Sequence, residues 1–254
     1  MSLIVSVHSF RGGTGKSNIA ANLGAVMAQQ GKRVAIVDTD IQSPGIHVLF
    51  GFDASSIGRS INDYLHGECQ MIEVVHDITE KLGAGGTGGQ LLLIPASIKA
   101  TDITRVLREG YDVGLLNSGF QTLIDELALD VLLVDTHPGL NEETLVSLTL
   151  SDVLLLVLRP DQQDFQGTAV TVDIARRLEV PSLLLAINKI PSLMSLEDVR
   201  AKVAATYGAE VGAVMPLNEE LAMNASCHPF ALSEPLHAWS QQLRAMAKRI
   251  LEEI

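Results

Sequence analysis

Cysteine is scarce: Cys69 and Cys227 are the two in 254 residues, far apart and outside any Cys-x-x-Cys spacing. That spacing indicates neither a disulfide framework nor a cysteine metal site. Long apolar runs are missing as well. None reaches the roughly 18 residues that a membrane span needs. The first run, residues 3–7, is too short for the apolar core of a secretory leader. The expected location is cytoplasmic. Basic residues are in deficit, with 18 Lys+Arg against 30 Asp+Glu and a formal net charge of −12. An acidic surface repels nucleic-acid phosphates and anionic lipids unless its cations gather on one face. The available groups are small: Lys32-Arg33, Arg176-Arg177, and Arg244 with Lys248-Arg249. Each reads as a solvated helix face or a last-turn complement to the helix dipole. A non-specific DNA surface enters as a partner only through these groups.

What is present is a core. Hydrophobic residues make up 47% of the chain, enough for one large α/β domain over residues 1–254. Runs at 33–38, 91–94, 131–135, 153–158, 182–187 and 211–215 are short, rich in Val, Ile and Leu, and do not alternate. Such runs predict strands buried on both faces. Helical segments are expected between them at 18–30, 120–127, 142–150, 166–178, 196–205 and 235–253. The alternation predicts a doubly wound α/β fold, a mostly parallel sheet with helices on both faces. Its ligand belongs at the C-terminal ends of the strands. Residues 81–89 are glycine-rich but lack Gly-Lys-Ser/Thr and precede a strand, so they read as a mobile loop and not a phosphate site.

The chemistry starts at Arg11-Gly12-Gly13-Thr14-Gly15-Lys16-Ser17, between an apolar run and a helical segment that opens at Asn18. Strand, glycine loop, Gly-Lys-Ser and helix in that order predict a phosphate-binding loop. Glycines let backbone N–H groups fold inward around a phosphate, and the helix N-terminus adds its positive dipole end. Lys16 offers a point charge to the β and γ phosphates, and Ser17 a hydroxyl to Mg2+. One ordinary feature is missing. Phe10 stands where the usual motif has a glycine, five residues before Gly15.

Strand ends carry the remaining candidates. Asp38 and Asp40 lie two apart on an extended chain, hence on one side of it. Beside a Mg2+–nucleotide one can help hold the hydrated metal and the other orient a water for in-line attack. An Asx-type turn into Ser43-Pro44-Gly45 would explain one aspartate but not both. The run 131–135 delivers Asp135 as a Walker B carboxylate to Mg2+. His137 follows it and reads as a switch-loop residue without a proton-transfer role, since catalysis of this kind is mostly positioning. Arg159 and Asp161 close another strand, Arg159 as a second phosphate-seeking cation or a partner of a surface acid. Asn188 and Lys189 open as a guanine reader would, but Pro191 stands where its aspartate is needed. Asn188 can instead offer its amide to adenine. ATP is expected over GTP.

Together these motifs resemble the ParA/MinD family, whose deviant Walker A loop reads Lys-Gly-Gly-x-Gly-Lys-Ser/Thr. The likeness extends to Asp135-Thr136-His137-Pro138-Gly139, Pro95-Ala96-Ser97 and residues 60–67, nearly the whole chain. In that family the first lysine reaches the partner's ATP across a dimer; Arg11 occupies its place here, with a planar fork for a compact charge. Arg159 is a second candidate for that role. The resemblance implies that Asp40 is tied to hydrolysis, Asp38 lies on the metal side and Asp161 touches a ribose. It further implies an ATPase that dimerises around ATP, answers to an activating protein partner, and positions cargo or division machinery on DNA or a membrane. The last residues, Met246-Ala247-Lys248-Arg249-Ile250-Leu251-Glu252-Glu253-Ile254, are expected to end a packed helix and lack the Lys/Phe-rich amphipathic tail that lies flat on a bilayer. Two other classes stay open: a metallochaperone-type relative, which normally shows paired cysteines, and a nucleotide-gated interaction module with little hydrolysis.

Overall fold

The structure is a computed structural model describing residues 2–85 and 88–253. Its strands are β1 (Leu3–His8), β2 (Arg33–Asp38), β3 (His76–Asp77), β4 (Gln90–Ile94), β5 (Val131–Asp135), β6 (Val153–Leu158), β7 (Ser182–Ile190) and β8 (Glu210–Pro216). They form one sheet in the order β3-β4-β2-β5-β1-β6-β7-β8, parallel throughout except for the two-residue β3 beside β4. The helices are α1 (Lys16–Gln29), α2 (Ile61–Leu65), α3 (Ala100–Glu109), α4 (Gly114–Leu127), α5 (Glu142–Leu150), α6 (Gln162–Arg177), α7 (Leu196–Tyr207), α8 (Glu219–Met223), α9 (Phe230–Ser233) and α10 (Ala238–Leu251). The expected doubly wound α/β fold is the one found.

Every residue of β1, β5 and β6 is buried, as strands covered on both faces require. One face packs under α1, α9 and α10: Leu23 and Val26 of α1 lie over β1 and β2, while Trp239, Leu243 and Met246 belong to α10, which packs on α1 and β8. On the other face α2 and α4 cover β2, β4 and β5, while α6 and α7 cover β6 to β8. Gly24 brings α1 close to the sheet: a Cβ there would stand 2.6 Å from Ile36 Cδ1. The last helix is part of this core through Trp239, Leu243, Met246, Ala247 and Ile250. No described helix is long and apolar enough to cross a membrane. From β1 the chain winds outward to β2 and β4, returns to β5, and then continues from β6 on the other side. The order reverses at β1, and the crevice beyond its C-terminal end is where such sheets bind ligands.

Three differences from expectation have local causes. Helix α3 is short and amphipathic, but of its apolar residues Val106 is the one buried. Helix α4 begins at Gly114, earlier than the apolar run, through the weak helix formers Asn117, Ser118 and Gly119. Gly119 sits in a tight contact there: a Cβ would stand 3.0 Å from both Met71 and Tyr64, so these side chains would have to shift to admit one. In the glycine-rich stretch, Thr79–Gly85 forms a tight 3-10 segment, and residues 86 and 87 lie outside the described residues.

Candidate nucleotide-binding site

Residues 9–15 leave the end of β1 and deliver the chain into α1. Gly13 and Gly15 have φ of 79° and 97°, a left-handed backbone that side chains with a Cβ resist. Gly15 is the N-cap of α1 and no side chain caps the helix. The first N–H groups of α1 are therefore open to an anion. A cavity of about 270 Å3 lies over them, lined by Ser9, Gly12 to Asn18, Asp40, Ser43 and Pro138.

The carboxylates gather here because β2 and β5 are neighbours in register, with Asp38 opposite Asp135. Lys16 Nζ donates to Asp135 Oδ1 at 2.6 Å and lies 3.9 Å from Asp40 Oδ2. All four side chains are buried. Asp38 accepts the N–H groups of Asp40 (3.0 Å) and Gly45 (3.3 Å), so the Asx turn does form. Burial and the facing Asp135 push the Asp38 carboxyl up to about 8. Burial also raises Asp40, against the opposing pull of Lys16 and His137. Asp135 Oδ2 is buried without a hydrogen-bond partner beside Lys16, and Ser17 lines the cavity over the loop. A hard oxygen-seeking cation such as Mg2+ fits that donor set.

Below the loop, His8 Nδ1 meets Thr136 Oγ1 at 2.7 Å. Burial, with Lys16 nearby, lowers the imidazole to about 3, so it is neutral. His137 donates from Nδ1 to the Pro138 carbonyl at 2.7 Å, leaving Nε2 3.9 Å from Asp40 Oδ1.

The cations and the nucleoside side differ from simple expectation. Arg11 reaches Gln163 in the first turn of α6. Arg159 is held by the buried Asp164 at 3.0 Å and by Asp161 at 3.2 Å, so it pairs within its own chain and is not a free phosphate-seeking cation. Asp161 caps α6, accepting from the Gln163 and Asp164 N–H groups. A second cavity, about 250 Å3, adjoins the first at Gly15 and Asn18 and is lined by Asn188, Lys189, Pro216, Leu217, Leu221 and Ser226. Asn18 donates to Ser226 Oγ on its wall at 3.2 Å. The Asn188 amide donates one N–H to the Thr14 carbonyl at 2.9 Å, and its Oδ1 makes no protein hydrogen bond among the described residues. Arg33, Arg176, Arg177, Arg244 and Arg249, drawn from the small cationic groups, all bond to acceptors of this chain.

Two participants were not legible in the motif. Lys189 donates to the Gly13 carbonyl at 2.7 Å. The Phe10 ring fills the space against Gly167 of α6, where any Cβ would overlap it. The aromatic ring at the first loop position is thus accommodated by a glycine on a distant helix.

A family model described as AAA domain matches residues 2–180. The flagellum site-determining protein YlxH of Helicobacter pylori is 30% identical over 159 residues, 62% of this chain and 48% of its own length. An iron-sulfur cluster carrier protein of Pyrococcus abyssi is 26% identical over 193 residues, 72% of this chain and 60% of its own. This chain thus spans half to three fifths of the length of those two relatives. Among solved structures, the septum site-determining protein MinD of Pyrococcus horikoshii, complexed with Mg-ADP, superposes with a TM-score of 0.79 at 18% identity, covering 98% of this chain and 96% of that one.

Proposed function

From a chain that belongs to the AAA-domain family and to the ParA/MinD P-loop ATPases within it, we propose an ATP-hydrolysing dimerisation switch that positions cargo, DNA or division machinery. The observation that carries the reading is the convergence of Asp40 and Asp135 on Lys16 beside the glycine loop, with Asp38 opposite Asp135 on the neighbouring strand. The loop N–H groups and Lys16 bind the phosphates. Asp40 orients the attacking water. Ser17, Asp38 and Asp135 would hold Mg2+, which when bound neutralises charge on the β and γ phosphates. Catalysis by positioning and charge alone suits a slow ATPase that a protein partner accelerates. The septum- and flagellum-site relatives support the positioning role, and the Mg-ADP complex supports the cofactors.

Arg11 tests the dimer. Its present partner, Gln163, is neutral, so the guanidinium charge is available to a second molecule. Arg11→Ala should bind ATP within a few-fold of the parent but fail to dimerise, because the interface would bury phosphate charge without a counter-cation. Arg11→Lys should restore dimers in part. Light scattering with a slowly hydrolysed ATP analogue reads both. Normal dimers from Arg11→Ala, with none from Arg159→Ala, would move the role to Arg159.

Base choice is a second expected result. Pro191 removes the carboxylate of a guanine reader, and the remaining Asn188 Oδ1 accepts from an adenine amino group. GTP should bind at least about tenfold more weakly than ATP, roughly 1.4 kcal/mol. Equal affinities in calorimetry would overturn the assignment.

The iron-sulfur carrier relative favours a second reading, a metal-cluster carrier. Cys69 is half-buried and Cys227 exposed, both as free thiols. Iron and sulfide bound in stoichiometric amounts by the purified protein would support the carrier.

A further inference from the structure

We infer that Asn188 and Lys189 are positioning residues for phosphate binding, gripping the outside of the glycine loop so that its N–H groups face the ligand. The inference rests on the nucleotide-binding reading and assigns these residues a role apart from the base.

In a regular strand consecutive side chains leave on opposite faces. Here β7 departs from that rule. Its register with β8 breaks between Ile187 and Ile190, and Lys189 takes φ of 56°, a left-handed conformation disfavoured for a residue with a Cβ. The irregularity brings both side chains to one target. Asn188 Nδ2 donates to the Thr14 carbonyl at 2.9 Å, and Lys189 Nζ to the Gly13 carbonyl at 2.7 Å.

The consequence follows from the planar trans peptide, in which a carbonyl and the N–H of the next residue point in opposite directions. The chain has no cis peptide among the described residues. Drawing the Gly13 and Thr14 carbonyls toward β7 turns the Thr14 and Gly15 N–H groups away from it. Among the described residues neither N–H has a protein acceptor. Adjacent unpaired N–H groups at a helix start form an anion nest, and one held open beforehand loses less order when phosphate arrives. The fit is close: a Cβ on Gly15 would lie 2.5 Å from Asn188 Nδ2.

Lys189→Gly separates the grip from the backbone. Glycine accepts the left-handed φ but removes the ammonium, while Lys189→Arg keeps a charged donor. Calorimetry with Mg-ADP and with inorganic pyrophosphate, which has no base, should show Lys189→Gly binding both about tenfold more weakly, the scale of one charge-assisted hydrogen bond. The thermal midpoint should be unchanged or higher, and Lys189→Arg should recover most of the affinity. The loss should persist at high salt, which screens long-range attraction but not a direct bond. Affinities within twofold of the parent would overturn the inference. So would a loss confined to ADP, which would make Lys189 a base contact, or a loss that vanishes at high salt. If the parent protein binds neither probe, it is the nucleotide reading that fails.

Discussion

Alanine at position 16 should leave a folded protein that no longer binds Mg2+–ATP. Lys16 Nζ is the cation between Asp135 at 2.6 Å and Asp40 at 3.9 Å. Its removal acts twice. The phosphates lose a charge-assisted hydrogen bond, about 1.5–3 kcal/mol. They also approach Asp135 and Asp40 without the cation that offset those charges, so binding then requires the acids to take up protons. The two effects together amount to at least about 4 kcal/mol, a thousandfold in affinity. The fold should survive, because Asp38 is already raised to about 8 and the remaining acids can take up protons in place of the lost ammonium. Calorimetry with Mg-ADP, alongside a thermal melt, reads both halves. An affinity within tenfold of the parent would show that the loop backbone alone carries the phosphates.

The second large effect concerns Asp40, where binding and turnover should separate. Its carboxylate lines the phosphate cavity, and Oδ1 accepts the Ser43 N–H at 3.2 Å. Replacing it by alanine removes a negative charge beside the phosphates, so ATP should bind as tightly as before or more so. Hydrolysis should slow by about ten- to a thousandfold, the range for losing a group that positions a reactant. ATP-bound dimers should then accumulate. Single-turnover hydrolysis together with light scattering gives both quantities. Turnover at the parent rate would reduce Asp40 to a turn residue that holds Ser43.

Legibility in the sequence tracked the range of the interaction. Strands β2, β5 and β6 have the bounds their apolar runs announce, because a strand buried on both faces has no polar register to blur its ends. The same runs end in Asp38 and Asp135, so motif and fold were readable together. Helix α3 went unread although Ile103, Val106 and Leu107 stand at helical spacing, because the segment is only ten residues long and mostly polar. At the site, each residue within the loop or one step beyond a strand could be found by spacing. Arg159 could not be resolved that way, because its fate depends on Asp164 within the following helix. Nor could Lys189: its reach depends on a left-handed backbone and a bulge against β8, and neither leaves a mark in composition.

Phe10 and Gly167 carry a consequence for how such chains diverge. The ring occupies the volume that any side chain at position 167 of α6 would need. Glycine inside a helix costs about 1 kcal/mol relative to alanine, so the position would not keep it without a tenant. The two sites should therefore covary. Homologues with glycine at the first loop position are free to carry alanine or serine on the helix, while those with an aromatic residue should retain glycine there. The effect of the helix change should depend on the loop: Gly167→Ala alone overlaps the Phe10 ring, whereas after Phe10→Gly, which by itself opens a void, the added methyl partly fills the space.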